Sequence, residues 1–400
     1  MDDTIHRGVI FVAPVLPADV IATARALEAA GMLQWLVTRA VLKSGMQRLL
    51  QRSKFAGRFS RRAQSPVSRT KAEWTADWLF YLSKTITGSS VRAGDVSFGY
   101  VDRRAASFIG AKTRAVVARE DCCLRTFQNM KSRNGVTIYQ LPTAYWTLVR
   151  KLLSTEIEQF PGICSAAEDP YEFKDARTER KTNELELADY VLCPSKFVQA
   201  SLTRRGSDVQ TIPFAIDVQQ EPARKDRESV FLYAGNITMR KGVHRLLRAW
   251  KKLRAYRTCE LRLVGDMFLS KQFLDGFRGM FTHVPRVSRE ELMRHYQESS
   301  VFVFNSMADG FGQVILEAMA AGVAVIASRN SGAPDIIETG RNGLLIDYGS
   351  DDQLENALDH TLSKPSEVAQ MGRAGFETAK LRTWDDYGNE LLDWLEPIIH

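Results

Sequence analysis

Asp309-Gly-Phe-Gly-Gln-Val-Ile-Leu-Glu317 follows a short apolar run, Val301-Phe-Val-Phe304, and leads into Ala318-Met-Ala-Ala321. The run has the length and residue types of a buried strand, and the segment after it has helical spacing. Two carboxylates therefore bracket a glycine-containing strand-to-helix turn. Asp309 lies in the loop and Glu317 lies inside the helix. The free N–H groups and positive dipole end near Gly312 suit a phosphate. A carboxylate deeper in the helix suits hydrogen bonds from sugar or ribose hydroxyls. Taken alone, the stretch reads equally as a plain glycine turn between a strand and a packing helix.

A second stretch has the same form. Gly235-Asn-Ile-Thr-Met-Arg-Lys-Gly242 follows the apolar run Val230–Ala234 and opens a helix expected over Lys241–Arg257. Arg240 and Lys241 are adjacent cations at that helix start. Lys offers a compact charge and Arg a planar fork for phosphate oxygens. Both loops follow strands of one expected sheet, so both fall at its C-terminal edge, where open α/β sheets bind ligands.

The rest of the chain alternates in the same way. Val9–Val12, Leu33–Thr38, Asp95–Val101, Arg114–Val117, Gly135–Tyr139, Tyr190–Cys193 and Val209–Pro213 read as strands of a first unit. Helices are expected over Ala18–Gly31, before Asp189 and from Pro194. Gln219–Glu228 is charged and aperiodic, and reads as a linker. After it, Leu261–Val264, Val323–Ala327 and Leu344–Ile346 read as further strands. Ser288-Arg-Glu-Glu291 has the capping-box form that starts a helix. The expectation is an α/β chain that opens as a doubly wound fold, in two halves joined by a polar linker with a cleft between them, and no internal repeat.

Composition narrows the class. The 400 residues are 44% hydrophobic and 25% charged, an ordinary globular balance. The five scattered cysteines lack ligand spacing and fit a reducing compartment. No metal site is readable. The net charge of +7 suggests an anionic partner. Lys43–Lys71 holds nine Lys and Arg and no acid, with Leu42, Met46, Leu49 and Leu50 at helical spacing. That pattern reads as a surface for anionic lipid or as a solvated helix and loop. No nucleic-acid module is recognisable. No apolar run approaches the roughly 18 residues of a spanning helix. A cytoplasmic location, with peripheral contact on the inner membrane face, is the expectation.

At Gly235–Gly242, Leu263-Val-Gly265, Asp309–Glu317, Gly332-Ala-Pro-Asp-Ile-Ile and Gly340-Arg-Asn-Gly-Leu-Leu, the chain resembles the retaining, GT-B-fold glycosyltransferases of family 4. The likeness is strong from about Val230 to Arg373. Upstream, Ala188–Phe197 and Ile212–Asp217 also match. The resemblance implies two Rossmann-like domains facing each other across a donor and acceptor cleft: an acceptor-binding one over 1–218, a linker over 219–228, a nucleotide-sugar one over 229–382, and a final helix over 383–400 that crosses back to the first domain.

It further implies a nucleoside-diphosphate-sugar donor of UDP or GDP type, no cofactor or metal, and a sugar or lipid-linked hydroxyl acceptor in polysaccharide or glycolipid assembly. Lys241, with Arg240, would face the donor diphosphate, and Glu317 would accept from the ribose. Gly235, Asn236 and Asp309 would line the donor, as would the backbone N–H groups of Phe311, Gly312 and Gln313. The base would sit against the backbone around Val284 to Arg286. Two departures stand out. Asn236 occupies the place of a family arginine, and Asp309 that of a glutamate one methylene longer. The first domain has only His6 for a family histidine, and Thr143 is a candidate for that role. A catalytically weak, transferase-like binding subunit is the alternative these departures suggest.

Overall fold

A computed structural model describes residues 8–39, 65–163, 173–202, 208–218 and 229–399. The expected linker, His6 and residues 43–64 of the basic run lie outside the described residues.

The first sheet is built from β1 Gly8–Val12, β2 Leu33–Arg39, β3 Thr70–Glu73, β4 Thr113–Arg119, β5 Val136–Gln140, β6 Tyr190–Cys193 and β7 Val209–Thr211. Its order is β3-β2-β1-β4-β5-β6-β7. The second sheet comprises β8 Val230–Ala234, β9 Glu260–Val264, β10 Thr282–Val284, β11 Val301–Phe304, β12 Ala324–Ser328 and β13 Leu344–Ile346, in the order β10-β9-β8-β11-β12-β13. Every pairing in both is parallel. Helices cover both faces, so β1, β8, β11 and β12 are buried at every residue. Parallel strands also send all their following loops to one edge, which is why loops distant in sequence meet.

Two expectations are corrected. Asp95–Val101 is not a strand but part of the helix Ser90–Ser107. Ser89 caps that helix by accepting from the Arg92 N–H at 3.0 Å, and it packs on the helix Trp74–Thr87. The helix expected over Lys241–Arg257 is shorter, Val243–Lys252, because Arg254 turns left-handed at φ 54°. The capping box at Ser288 is real: its Oγ accepts from the Glu291 N–H at 3.2 Å, and the helix Arg289–Glu298 follows.

Each half sends a helix into the other. The last helix, Trp384–Ile399, crosses back to the helix Ala18–Ala29. Its Leu391, Leu395 and Ile399 join Val9, Phe11 and Leu27 in one core, and Tyr387 Oη hydrogen-bonds Thr23 Oγ1 at 3.2 Å. In the other direction, Trp146–Gln159 carries Glu156 into the second half, and Phe160 and Ile163 enter that half's core. Glu156, only 3% exposed, accepts from Arg245 Nε at 2.7 Å and Nη2 at 3.1 Å. His244 Nε2 lies 2.6 Å from the same carboxylate. Arg245 also donates to Asp351 and to Gln159. Burial pushes the Glu156 carboxyl up, but the hydrogen bonds from His244 and Arg245 outweigh it and hold it down at about 2.

This carboxylate's pKa in the folded state is below its unfolded value. The stability it contributes is therefore present above the ordinary glutamate pKa and lost as pH falls towards 2. Glu156→Ala leaves Arg245 buried without its main partner. It should cost about 3 kcal/mol and flatten that acid dependence. Thermal melts of both proteins between pH 7 and about pH 3 check this; equal melting temperatures and equal acid slopes would refute the assignment.

Candidate functional site

The second sheet reverses direction between β8 and β11, since β9 and β11 flank β8 on opposite sides. The crevice at such a reversal is the usual ligand site of an open α/β sheet. The loops that follow these two strands are Gly235–Gly242 and Asn305–Gly312.

The first loop is held by its own side chains. Tyr233 Oη donates to the Asn236 carbonyl at 2.7 Å, and Thr238 Oγ1 accepts from the Lys241 N–H at 3.3 Å. Ile237 and Met239 are buried and anchor the loop. The Arg240 carbonyl accepts from the Met307 N–H at 2.8 Å, joining the two loops. Gly242, at φ 68°, sits so close to Asn305 that a Cβ would meet its carbonyl oxygen at 1.8 Å. Any other residue there would force the loops apart.

The second loop presents Asp309. Its carboxylate forms an ion pair with Lys241 Nζ, and Oδ1 accepts from the Gly312 N–H at 3.0 Å. Both side chains remain partly exposed, at 18% for Lys241 and 19% for Asp309. Burial pushes the Asp309 carboxyl up; Lys241, Arg240 and the Gly312 N–H outweigh that and hold it below the usual carboxylate range. Burial lowers the Lys241 ammonium and Arg240 adds to this, while Asp309 opposes it; the net shift is downward. The two residues that the sequence assigns to opposite halves of a donor site are thus paired with each other.

Glu317 lies one turn into the helix Gln313–Ala320 and accepts from Tyr296 Oη at 3.3 Å. Burial raises its carboxyl above the ordinary value, against the pull of Arg289 and Tyr296. Gln313 Nε2 donates to the Ala215 carbonyl at 2.9 Å, while its Oε1 is buried with no hydrogen-bond partner. Phe311 is a core side chain against Phe214, with ring centres 5.3 Å apart. Its carbonyl is already used by the Gly332 N–H. The Gly312 N–H is likewise engaged by Asp309, so among the three amides named from sequence it is the one already spoken for.

The sequence places Arg286 only at the end of the backbone stretch expected against the base, and gives its side chain no role. It stands just after β10 and Val284, donating from Nε to Asp266 Oδ2 and from Nη2 to Asn236 Oδ1, each at 2.9 Å. It brings a cation to the residue that replaces the family arginine. No local pattern could have revealed it, because the contact joins residues 50 apart across neighbouring loops.

The first half closes over these loops. Ser195 Oγ donates to the Gly310 carbonyl at 2.5 Å, and the Lys196 N–H donates to Asp335 at 3.0 Å. Thr143 stands in the loop after β5, beside Gly310. Further along the same edge, where the first sheet reverses between β1 and β4, is a cavity of about 310 Å³. Val15, Arg39, Phe80, Phe98, Asp121 and Arg177 help to line it. Its floor is a charged network. Asp121 pairs with Arg177 at 2.5 Å and with Arg180 at 2.9 Å, and Arg180 also pairs with Asp95. Beneath them Glu184 accepts from the Asp121 and Cys123 N–H groups, and burial pushes its carboxyl up to about 8. The helical spacing of Arg177, Arg180, Lys181 and Glu184 was the sequence signal for this network. Among the described residues, no group of three or more His, Cys, Asp or Glu is placed to hold a metal ion.

The glycosyl transferases group 1 family model matches residues 216–378. These residues are a glycosyl transferases group 1 domain. The matched residues hold the stretches from Gly235 to Gly343 on which the resemblance mainly rests, and Ala188–Phe197 lies upstream of them. A D-inositol 3-phosphate glycosyltransferase from an Arthrobacter species is 32% identical over 153 residues, 36% of each chain. A GDP-mannose-dependent phosphatidylinositol monomannoside mannosyltransferase of Mycobacterium tuberculosis is 36% identical over 118 residues, covering 27% of this chain and 30% of that one. The matched segment therefore spans about a third of these relatives.

Solved structures match almost end to end. Sucrose-phosphate synthase from Thermosynechococcus elongatus aligns with a TM-score of 0.65 at 17% identity, covering 98% of this chain and 99% of that one. Anabaena HepE, solved with UDP and glucose, aligns at 0.62 and 14%, covering 98% and 100%. The fold is GT-B over the whole described chain, with the group 1 domain as its second half.

Gly310 tests how tightly the halves meet. A Cβ there would lie 1.8 Å from the Pro142 carbonyl oxygen, a backbone atom with no freedom to step aside. Gly310→Ala should open the contact between the halves, seen as a larger radius of gyration by small-angle scattering and a lower melting temperature. Unchanged values of both would mean that the halves do not approach this closely.

Proposed function

We propose that this protein is a retaining glycosyltransferase. It moves a hexose from a nucleoside-diphosphate donor, of UDP or GDP type, to a hydroxyl of a sugar or lipid-linked acceptor in polysaccharide or glycolipid assembly. The observation that carries the reading is the Lys241–Asp309 ion pair across the β8–β11 crevice, with Glu317 one turn into the adjoining helix. The pair is an anion site and a hydroxyl site in one place, each neutralising the other until a ligand enters. HepE, which shares the fold, is described in complex with UDP and glucose. The Mycobacterium relative is described as GDP-mannose-dependent.

In this reading the donor diphosphate draws Lys241 away from Asp309. Arg240, Arg286 and the N-terminus of the helix Val243–Lys252 add to the field on the phosphates. Asp309 is then released to accept from the sugar hydroxyls, and Glu317 accepts from the ribose. The bond from the anomeric carbon to the phosphate oxygen breaks first, and the charge left on the diphosphate is what these cations stabilise. The acceptor oxygen bonds the anomeric carbon on the same face, and its proton passes to the departing phosphate oxygen. The fixed cations supply the charge that a divalent ion supplies elsewhere, so the reading calls for no cofactor. The acceptor belongs in the first half, at the cavity beside Asp121 and Arg177 or nearer Thr143. The basic run Lys43–Lys71 suits a peripheral protein acting at the anionic, cytoplasmic face of a membrane.

Incubation with UDP- and GDP-sugars, reading nucleoside diphosphate release, tests the activity. The donor that binds the native state should also raise the melting temperature. Lys241→Ala should lower kcat about a hundredfold, whereas Arg286→Ala should mainly raise the donor KM. A donor that raises the melting temperature without turnover would instead favour the binding-subunit reading. Wild-type turnover in Lys241→Ala would remove Lys241 from the chemistry.

A further inference from the structure

The helix Trp74–Thr87 contributes Phe80 to the lining of the first half's cavity and leaves another face exposed to solvent. Phe80, on the inner face, lines the cavity beneath Arg39, whose guanidinium lies 4.7 Å from the ring centre. Ala76 is buried on the same side, where its carbonyl accepts from Ser97 Oγ of the helix Ser90–Ser107. The outer face is apolar. Trp74 is 43% exposed, Trp78 67%, Tyr81 46%, Leu82 42% and Ile86 74%. Their spacing puts them in one stripe along the helix. Val96 on the neighbouring helix is also exposed.

The charges around the stripe have one sign. On the two helices every fully exposed charged side chain is a cation: Lys84, Arg92 and Arg103. The acids Asp77, Asp95 and Asp102 are buried or half-buried. A symmetric contact with a second copy of the chain would set these cations against themselves. An anionic lipid surface satisfies both features. Trp and Tyr prefer the boundary between headgroups and acyl chains, and cations beside it meet the lipid phosphates.

We propose that the outer face of the helix Trp74–Thr87 docks on an anionic bilayer. Trp78, Tyr81, Leu82 and Ile86 enter the headgroup–acyl boundary while Lys84 and Arg92 meet phosphates. This sets the cavity lined by Phe80 at headgroup level, where a lipid-linked hydroxyl can enter without leaving the membrane. The inference deepens the reading that the acceptor is lipid-linked and rests on it for the acceptor alone. The docking itself is measured without turnover.

Flotation of the full chain with vesicles tests it, using phosphatidylcholine alone and phosphatidylcholine with roughly a third phosphatidylglycerol. The protein should float with the anionic vesicles, less so at high salt, and with a blue-shifted tryptophan emission. Trp78→Ser with Ile86→Ser should weaken flotation about tenfold or more, with an unchanged melting temperature since both side chains face solvent. Lys84→Gln with Arg92→Gln should weaken it on the anionic vesicles. Failure of the wild type to float, or undiminished flotation of the Trp78/Ile86 variant, overturns the proposal. So does a dimer in light scattering that the same variant dissociates. Donor turnover in solution is read separately, so a protein that turns over but does not float refutes the docking and leaves the transferase reading intact.

Discussion

The carboxylate of Glu156 is the contact on which the two halves and the site jointly depend. It comes from the first half, is nearly closed off from water, and ends on His244 and Arg245. Those residues form the first turn of the helix that begins just after Lys241. A negative group at a helix N-terminus is favourable in its own right. Here it also ties the first turn of that helix, next to Lys241, to the other half. The join between the halves and the cationic edge of the crevice are therefore neighbours on one helix.

The Lys241–Asp309 pair shows a related economy. A buried charge without a partner is costly. Pairing the cation with the neighbouring carboxylate removes that cost without adding residues. The arrangement also suits an acid as short as Asp309. The shorter side chain reaches Lys241 and still accepts from the Gly312 N–H, which caps the next helix. The departure at Asn236 is met from outside the motif, by Arg286.

The alternating strands and the two glycine loops were legible because buried parallel strands are continuous apolar runs, and turns at a sheet edge carry local signatures. The error at Asp95–Val101 has a physical source. Val96, Phe98 and Tyr100 alternate like a strand, but the residues that are buried are Ala93, Gly94, Ser97, Val101 and Ala105. Helical periodicity there is carried mainly by small residues that let the helix Trp74–Thr87 approach closely, while Val96 is exposed and Phe98 and Tyr100 are only partly buried. A reading weighted by large side chains saw the wrong face. At the site, spacing identified Lys241, Asp309 and Glu317 as candidates, but not that two of them pair. The roles of Glu156 and of the Arg286 side chain were invisible for the same reason: each acts on a partner supplied by the fold and not by its neighbours in sequence.

The exchange of helices between the halves has a bearing on how the chain is made. Leu391, Leu395 and Ile399 belong to the same core as Val9 and Phe11, far apart in sequence. During synthesis the first sheet can assemble its strands once β7 has emerged, with the helix Ala18–Ala29 over part of one face. Domains usually fold as units in the order they are made. This one waits, with the rest of that apolar face uncovered, until the helix Trp384–Ile399 follows the second half.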